Sequence, residues 1–397
     1  MAEIKVLLLT HNYPRFEGDF AGIFLKLLAE KLCALGIQPV VLAPYDSGCA
    51  EYEEINGVKI YRFRYAQREE EHTIAYRGNM HQLVLGSVSG IFKFKNFLNR
   101  WRRAAFEVIE KEKIDLVAGH WLIPAGIVMK TIYRKKRLPM ILSSHGTDIR
   151  LMRKYFKVVY RYLRTLCHNL SSWTVVSNFL KEGIVAMDRS LDTVLEVVPM
   201  PHDETIFYRD DNIKREENLI VSVTRFTDQK RVDKLIQAVA LLNDRNIDFK
   251  LLLYGTGPLE IEIRSLIARF GLEQKVTINP PVSQKELAVI YNKATVVVLN
   301  SFEEGFGLAL SEAMLCGAPV IGTASGGIKD IIQQEQTGLL VPLDNPNELS
   351  DSLERLLKDS ALRHKLAQQG QAFAQNNYTS EKTAERYAAI IKNAFSS

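Results

Sequence analysis

Short apolar runs alternate with amphipathic stretches along the whole chain. In the first half, the apolar runs predict strands at Ile4–Leu9, Pro39–Ala43, Val58–Phe63, Asp115–Ala118, Met140–Ser143, Trp173–Val176 and Val194–Val198. Apolar residues at helical spacing lie between most of these runs, as in Phe24–Leu35, which ends at Gly36. Regular alternation of strand and helix predicts an α/β fold with a doubly wound parallel sheet.

The second half repeats the alternation more cleanly. Strands are predicted at Leu219–Thr224, Lys250–Tyr254, Val276–Ile278, Thr295–Asn300, Pro319–Gly322 and Leu339–Val341, and helices at Val232–Leu242, Glu260–Phe270, Lys285–Asn292, Leu308–Leu315 and Ser380–Ala394. A cluster of Pro, Asp and Asn at residues 199–212 predicts a domain boundary. Two such sheets would bind ligands outside the carboxyl ends of their strands, so two facing domains would hold a substrate in a central cleft.

Length and composition narrow the class of protein. The 397 residues are 47% hydrophobic, enough for two or three domains with large cores. No run reaches the roughly 18 apolar residues of a spanning helix, and the N-terminus does not resemble a signal peptide. The four cysteines have neither paired nor metal-ligand spacing, which is typical of reduced thiols. We therefore expect a cytoplasmic protein.

The net charge of +5 is unevenly distributed. Residues 1–200 carry 29 Lys and Arg against 20 Asp and Glu; subtraction from the totals of 51 and 46 leaves 22 against 26 for the rest. One half is therefore basic and the other mildly acidic, which suggests that the two domains meet different partners.

Two carboxylates in a glycine-containing turn and helix form the strongest chemical signal. Glu304 stands in the turn after a predicted strand, and Glu312 falls within an apolar helix. Gly305 and Gly307 let main-chain N–H groups approach a ligand, and the helix N-terminus favours a phosphate. A capping glutamate plus a buried ion pair would explain both acids. The alternative is that both bind the hydroxyls of a phosphorylated sugar compound.

Further candidates follow neighbouring strands of the second domain. Arg225 and Lys230 leave a strand end where ligands bind, and two cations there could neutralise a departing diphosphate, although they could also be ordinary surface residues. Gly255 permits close backbone approach to a nucleotide, and the turn at Val282 could edge a base-binding slot. Each of these last two signals is weak alone.

The first domain offers a histidine at a strand end. His145 follows the predicted strand Met140–Ser143 and is flanked by Gly146 and Asp148, although a lone histidine is more often structural. The loop after the first strand contains Gly18 and lacks a G-x-G-x-x-G pattern. A dinucleotide site, and with it an oxidoreductase, is therefore disfavoured.

Basic residues recur beside aromatic ones in the first domain. They lie in residues 92–103, in Lys130–Arg137 and in residues 150–164, where helical spacing would align the cations in a stripe. Such stripes suit an anionic membrane surface, at about 1 kcal/mol per nearby cation. A solvated helix face over the core explains them equally well. Nucleic acid is a weaker alternative because no recognised binding motif accompanies the charge, and none is expected as a partner.

Together these motifs resemble the retaining GT-B glycosyltransferases of family 4, also called glycosyl transferases group 1. The resemblance covers nearly the whole chain and is strongest from Leu219 to Pro342. The matching positions are the Glu-x7-Glu pair Glu304 and Glu312, the cations Arg225 and Lys230, the glycine turn at Gly255, the motif His145-Gly-Thr-Asp148, and Val175-Val-Ser177 and Gly326-Gly327. Any one motif is weak, whereas their order and spacing together are specific.

The resemblance implies two Rossmann-like domains, with residues 1–200 holding the acceptor and residues 201–378 holding a nucleotide-diphosphate-sugar. Residues 379–397 would form a helix packing back on the first domain. The resemblance implies that Glu312 binds the ribose and Glu304 binds the transferred sugar. The N–H groups around Phe306, Gly307 and Leu308 would contact sugar or phosphate. Arg225 and Lys230 would stabilise the diphosphate, and His145 would contact the sugar. No metal or cofactor is implied, because the two cations would neutralise the diphosphate.

This chain also departs from the family pattern. Where the family often reads Pro-Asn-Gly-Val-Asp, the sequence is Pro199-Met-Pro-His-Asp203. The usual Ile-Pro-Glu is Ile328-Lys-Asp330, and the first loop has Gly18 and Gly22 apart rather than as a pair. These departures leave the fold prediction intact and the acceptor contacts near the first loop open. The expected acceptor is a glycan, a lipid-linked compound or a small molecule. Alternative functions are a GT-B epimerase or hydrolase acting on the donor alone, and a non-catalytic protein that binds membrane or nucleic acid.

Overall fold

The computed structural model describes residues 3–76, 80–154 and 156–396, without the side chains of residues 81, 82, 85, 156 and 157. The chain divides into two compact units. The first unit comprises Met1–Val176, Leu180–Pro201 and Ser380–Ser397, and the second comprises Ser177–Phe179 and His202–Thr379. The chain therefore leaves the first unit near the predicted boundary and re-enters it with its last helix.

The first unit contains an eight-stranded sheet. Its strands are β1 (Ile4–Leu9), β2 (Ile37–Pro44), β3 (Tyr52–Ile55), β4 (Val58–Phe63), β5 (Leu116–His120), β6 (Met140–Ser144), β7 (Ser172–Val175) and β8 (Leu195–Val197), in the order β3-β4-β2-β1-β5-β6-β7-β8. Its helices are α1 (Ile23–Cys33), α2 (Met80–Leu85), α3 (Val88–Glu112), α4 (Ala125–Lys136), α5 (Thr147–Lys154), α6 (Phe156–Cys167) and α7 (Asn178–Val185), with α15 (Ser380–Ser396) joining at the C-terminus. Short 3-10 turns occupy Glu69–Glu71 and Arg189–Val194. All strand pairs are parallel except β3 with β4.

The second unit contains a six-stranded sheet that is parallel throughout. Its strands are β9 (Leu219–Val223), β10 (Lys250–Tyr254), β11 (Val276–Asn279), β12 (Val296–Leu299), β13 (Val320–Thr323) and β14 (Leu339–Val341), in the order β11-β10-β9-β12-β13-β14. Its helices are α8 (Val232–Asp244), α9 (Glu260–Arg269), α10 (Gln284–Lys293), α11 (Leu308–Leu315), α12 (Ile328–Ile331), α13 (Pro346–Lys358) and α14 (Ser360–Asn377), and a 3-10 turn spans Asp228–Lys230.

Burial explains why the apolar runs became central strands. Strands β5 and β12 are buried along their whole length, as expected for parallel strands covered by helices on both faces. Helix α15 contributes Ala384, Tyr387 and Ile391 to the core of the first unit, where they pack with residues of β1, β2 and α1. The predicted α/β fold with two doubly wound domains is confirmed.

Strand β3 and helices α12, α13 and α14 were absent from the sequence prediction. Strand β3 is an antiparallel edge strand with mostly exposed residues, so it lacks the apolar run that marks the other strands. Helices α13 and α14 cover the last part of the second unit. No helix among residues 3–76, 80–154 and 156–396 is long and apolar enough to cross a membrane.

Each sheet has one point at which the strand order reverses. In the first unit the chain moves outward from β1 to β2 and β4 and then returns to place β5 on the other side of β1. In the second unit β9 is followed outward by β10 and β11, after which β12 pairs with the other side of β9. The crevice beside such a reversal, at the carboxyl ends of the strands, is where α/β sheets bind ligands.

Candidate functional site

The turn after β9 carries two cations at the reversal point of the second unit. The Arg225 side chain is exposed, and no described residue pairs with its guanidinium group. Lys230 closes the 3-10 turn Asp228–Lys230 and donates its ammonium group to the carboxylate of Glu304. The side chains of Lys230 and Glu304 are 12% and 17% exposed. The predicted cation and the predicted sugar-binding acid are therefore directly paired across β9 and β12.

Hydrogen bonds to two neighbouring loops fix the turn that carries Glu304. The Phe302 N–H donates to Gln229 O at 2.7 Å, and the Glu303 N–H donates to Ser325 Oγ at 2.9 Å. Glu303 itself adopts a φ of +46°, a conformation that costs energy for a residue with a side chain. The turns after β9, β12 and β13 thus form one connected framework.

Gly326 and Gly327 make close backbone contact with the Glu304 turn. A Cβ on Gly326 would lie 2.4 Å from Glu304 O, and one on Gly327 would lie 2.4 Å from Gly305 O. The Gly327 N–H donates to Glu304 O at 2.7 Å. Since real Cβ atoms do not approach so closely, the glycine pair is required to hold this turn in place.

Helix α11 starts immediately after this turn. Gly307 precedes it with a φ of +117°, Phe306 is buried, and Leu308 is exposed at the first helical position. The first N–H groups of a helix lack intrahelical partners and carry partial positive charge. The segment predicted to meet sugar or phosphate is therefore a helix N-terminus beside the Lys230–Glu304 pair.

Glu312 lies one helical turn further along and meets a different set of groups. The Tyr291 hydroxyl on α10 donates to Glu312 Oε2 at 3.2 Å. His202 Nδ1 lies 3.9 Å from Glu312 Oε1. Burial raises the pKa of Glu312 to about 8, and the Tyr291 hydrogen bond opposes that rise only in part. Glu312 is thus a largely buried carboxyl, and no described residue is a cationic partner close enough to keep it ionised.

The remaining predicted positions of the second unit lie on the other side of β9. Gly255 has a φ of +151°, and a Cβ there would lie 1.9 Å from Thr224 O. The glycine turn therefore packs on the backbone that positions Arg225. This contact alone explains why residue 255 is a glycine. Val282 follows the edge strand β11 and is half-buried just before Ser283, the N-cap of α10.

Three histidines meet at the reversal point of the first unit. His11 follows β1, His120 ends β5, and His145 follows β6. His145 Nε2 lies 3.2 Å from His120 Nδ1, and the Trp121 ring lies 4.6 Å from the rings of both His11 and His145. Sequence reasoning singled out His145 and missed His120; the available signal was a polar residue at the carboxyl end of a buried strand.

All three imidazoles are neutral near pH 7. Burial lowers the pKa of His11 to about 4 and that of His120 to about 3. Burial, together with the neighbouring His120 and His11, lowers the pKa of His145 well below its usual value. The Nδ1 atoms of His11 and His145 have no hydrogen-bond partner among the described residues. His145 is therefore an uncharged ring whose buried Nδ1 has no partner among the described residues.

Asp148 holds the backbone around these histidines. Its carboxylate accepts N–H groups from Leu122 at 2.8 Å, Gly146 at 3.1 Å and His145 at 3.2 Å. These bonds join the loop after β5 to the loop after β6. The geometry explains why an acid follows His145 by three positions.

The loop containing Gly18 is stabilised by an arginine. Arg15 donates to Asp19 and to Asp46, each at 2.7 Å, and Gly18 supplies the positive φ of +86° that the turn needs. A cavity of about 340 Å³ lies beside this loop, α1 and β3. Its polar lining is largely satisfied internally, since Asn56 donates to Glu30 and Arg62 donates to Glu53.

The basic segments lie on adjacent helices of the first unit. Helix α3 packs on α4, and α4 packs on α6. Exposed cations occur on α3, α4, α5 and α6, including Lys93, Lys95, Arg134 and Arg161. Residue 155, and the side chains of Phe156 and Lys157, lie outside the described part of the chain.

Comparison with known proteins identifies the family. The sequence model of "Glycosyltransferase Family 4" matches residues 21–205, and that of "Glycosyl transferases group 1" matches residues 203–373. The chain is a family-4 glycosyltransferase with the GT-B fold. It is 28% identical to the N-acetyl-alpha-D-glucosaminyl L-malate synthase of Bacillus anthracis over 297 residues, which cover 72% of this chain and 76% of that protein.

Solved structures of low sequence identity share the fold of this glycosyltransferase. Sucrose-phosphate synthase from Thermosynechococcus elongatus superposes with a TM-score of 0.80 at 22% identity, covering 99% of both chains. Anabaena HepE, solved with UDP-glucose, gives a TM-score of 0.72 at 17% identity over 98% of this chain and 99% of that one. These structures show the fold, whereas the family models and the named relative show that this glycosyltransferase is an enzyme of the predicted class. The hypothesis of a non-catalytic binding protein is not supported.

Proposed function

We propose that this glycosyltransferase moves a sugar from a nucleotide-diphosphate-sugar to a hydroxyl group of an acceptor, with retention of anomeric configuration. The observation that carries the proposal is the Lys230–Glu304 pair at the reversal point of the second sheet. A cation for phosphate and a carboxylate for sugar hydroxyls stand side by side there, next to a helix N-terminus. The UDP-glucose complex of Anabaena HepE makes UDP-sugars the first donors to test.

The second unit would bind the donor at both ends. Glu312 would accept the ribose hydroxyls, Glu304 would accept hydroxyls of the transferred sugar, and the N–H groups around Phe306–Leu308 would meet sugar or phosphate. Arg225 and Lys230 would neutralise the diphosphate. Arg225 is exposed and unpaired among the described residues, so it could turn to the phosphates without breaking an existing ion pair.

In the reaction, the bond between C1 of the sugar and the diphosphate oxygen breaks. The acceptor oxygen bonds to C1 on the same face, and its proton passes to an oxygen of the leaving diphosphate. Charge accumulates on the diphosphate, where the two cations stabilise it. In the first unit, His145 would contact the transferred sugar, as the family resemblance implies, with its ring neutral.

A released-nucleotide assay tests this proposal. UDP-, GDP- and ADP-sugars are each incubated with enzyme, with and without glycan, lipid-linked and small hydroxy-acid acceptors. The small acids are included because the B. anthracis relative is named for L-malate. Acceptor-dependent nucleotide release supports transfer, whereas equal release without acceptor indicates an epimerase or hydrolase. The anomeric proton coupling of the product, compared with that of the donor, tests retention.

We also propose that the first unit binds an anionic membrane surface. Val88, Ile91 and Phe92 near the start of α3 are 71%, 53% and 66% exposed, and Lys93 and Lys95 follow them. On α6, Val158 is 75% exposed beside Arg161. Apolar side chains among cations favour lipid over nucleic acid, because they gain only by entering an apolar phase.

Liposome flotation tests membrane binding. We expect the protein to float with vesicles containing anionic phosphatidylglycerol and to remain behind with pure phosphatidylcholine. The Ile91→Ser/Phe92→Ser variant should lose most of this binding. Phe395→Ser is the matched control, since Phe395 is 49% exposed on α15. The proposal is contradicted if flotation does not depend on the anionic lipid content, or if the control variant loses as much membrane binding.

A further inference from the structure

His202 stands where the family often has valine, and its ring is enclosed. It is 3% exposed, and the aromatic rings of Phe207 and Phe306 flank it, each with a centroid 6.4 Å away. The backbone N–H of His202 donates to Tyr378 O at 2.9 Å, so the backbone is held in place as well. A polar ring in such a site must find polar partners to offset the cost of its burial.

Both ring nitrogens of His202 face consecutive residues of α11. Nε2 lies 2.7 Å from Ser311 Oγ, and Nδ1 lies 3.9 Å from Glu312 Oε1. The second distance is too long for a hydrogen bond, so Nδ1 and the carboxyl are neighbours and not hydrogen-bond partners in this structure. Burial lowers the pKa of His202 to about 3, and the neutral ring carries one proton, on either nitrogen.

The Ser311 hydroxyl links the position of that proton to Glu312. The hydroxyl lies 3.0 Å from Leu308 O as well as 2.7 Å from His202 Nε2, and it has one proton to donate. When Ser311 donates to Nε2, the ring proton sits on Nδ1 and faces Glu312, which favours an ionised carboxylate. When Ser311 donates to Leu308 O, the ring proton sits on Nε2 and the bare Nδ1 faces Glu312, which favours the protonated acid.

We propose that His202 is a positioning residue for donor binding, which orients Glu312 and presents an N–H to its carboxylate when the ribose of the donor arrives. The inference rests on the proposed function, since it takes Glu312 as the group that receives the ribose hydroxyls. Tyr291 holds Oε2 of the carboxylate from α10, and His202 flanks Oε1. Tyr291 thus holds one oxygen of the carboxylate, and the His202 ring lies next to the other.

Three substitutions separate positioning from simple packing. His202→Asn keeps an amide group near the place of Nδ1, His202→Gln keeps one near the place of Nε2, and His202→Val removes both. Loss of an N–H that serves a charged acceptor should raise the donor KM roughly tenfold in His202→Val, with kcat changed by less than about threefold. His202→Asn should restore the donor KM to within about threefold of wild type, and His202→Gln should not.

The outcomes distinguish this inference from the proposed function. A wild-type enzyme that neither binds nor consumes any nucleotide-sugar defeats the proposed function itself. An active wild type whose donor KM is unchanged in His202→Val, or is restored equally by Asn and Gln, overturns the role of His202 alone. Should the valine variant fail to fold, Ser311→Ala provides the test, since it removes the anchor of Nε2 and leaves the ring. An unaltered donor KM in that variant also overturns the inference.

Discussion

Replacing Lys230 with alanine tests the central pair of the site. The substitution removes the ammonium group that contacts Glu304 and, in the proposed complex, the diphosphate. It also leaves Glu304, at 17% exposure, without its cation at the place where phosphates arrive. Two effects therefore act in the same direction: lost stabilisation of the leaving group and added repulsion of the donor.

The first effect sets the expected size. Loss of one charge-stabilising donor from a water-poor site lowers kcat by about 10²- to 10³-fold, or roughly 2.7–4 kcal/mol. The pair is largely buried, and removing one partner of such a pair lowers stability by about 3–5 kcal/mol, which is less than the stability of most folded domains, about 5–15 kcal/mol. We therefore expect kcat/KM to fall by at least ~10²-fold while the protein stays folded.

Nucleotide release with saturating acceptor measures the effect, and thermal unfolding confirms that the variant is intact. Lys234→Ala is the matched control, because Lys234 lies on α8 and pairs with Asp233 rather than with Glu304. The control should retain activity within about twofold, as expected for loss of one exposed surface pair. A Lys230→Ala enzyme with kcat/KM within about threefold of wild type would refute the reasoning, since even one lost donor should exceed that.

Three further predictions follow from the same site. Gly327→Ala should raise the donor KM at least about tenfold, because the Cβ of the new alanine would lie 2.4 Å from Gly305 O. Gly183→Ala is the control in the same kinetic assay, because a Cβ at residue 183 would meet open space. Donor affinity, measured calorimetrically between about pH 6 and about pH 9, should rise towards pH 8 and then level, because the ionised Glu312 (pKa about 8) is the better hydrogen-bond acceptor. The Glu312→Gln variant should show no such pH dependence, and an unchanged pH dependence in that variant would contradict the prediction. Chelation with EDTA should leave nucleotide release intact, and lost activity restored by Mg²⁺ would contradict charge neutralisation by Arg225 and Lys230 alone.

The sequence was sufficient for the fold and for the positions at strand ends. Apolar runs located the central strands because parallel strands covered on both faces admit few polar residues. Arg225 and Glu304 were recognisable because each follows such a run. Their proximity in space could not be recognised from the sequence, because it depends on the pairing of β9 with β12, which are far apart in the chain.

Two site features could not be read from sequence for the same reason. His120 ends a buried strand, and only the pairing of β5 with β6 brings it to His145. His202 looked like a departure from a motif, and its contact with Ser311 requires the segment after Pro201 to fold against α11. Strand β3 was missed for a local reason: an exposed edge strand carries no apolar run.

The return of the chain to the first unit affects how the protein can be made. Helix α15 supplies buried Ala384, Tyr387 and Ile391, and the Tyr387 hydroxyl donates to Ser143 Oγ at 3.0 Å. During synthesis, the first unit lacks these side chains until all of the second unit has left the ribosome. Burial of one large apolar side chain contributes about 1.5–3 kcal/mol, a large fraction of ordinary domain stability. The unit that is translated first is therefore the one that is completed last.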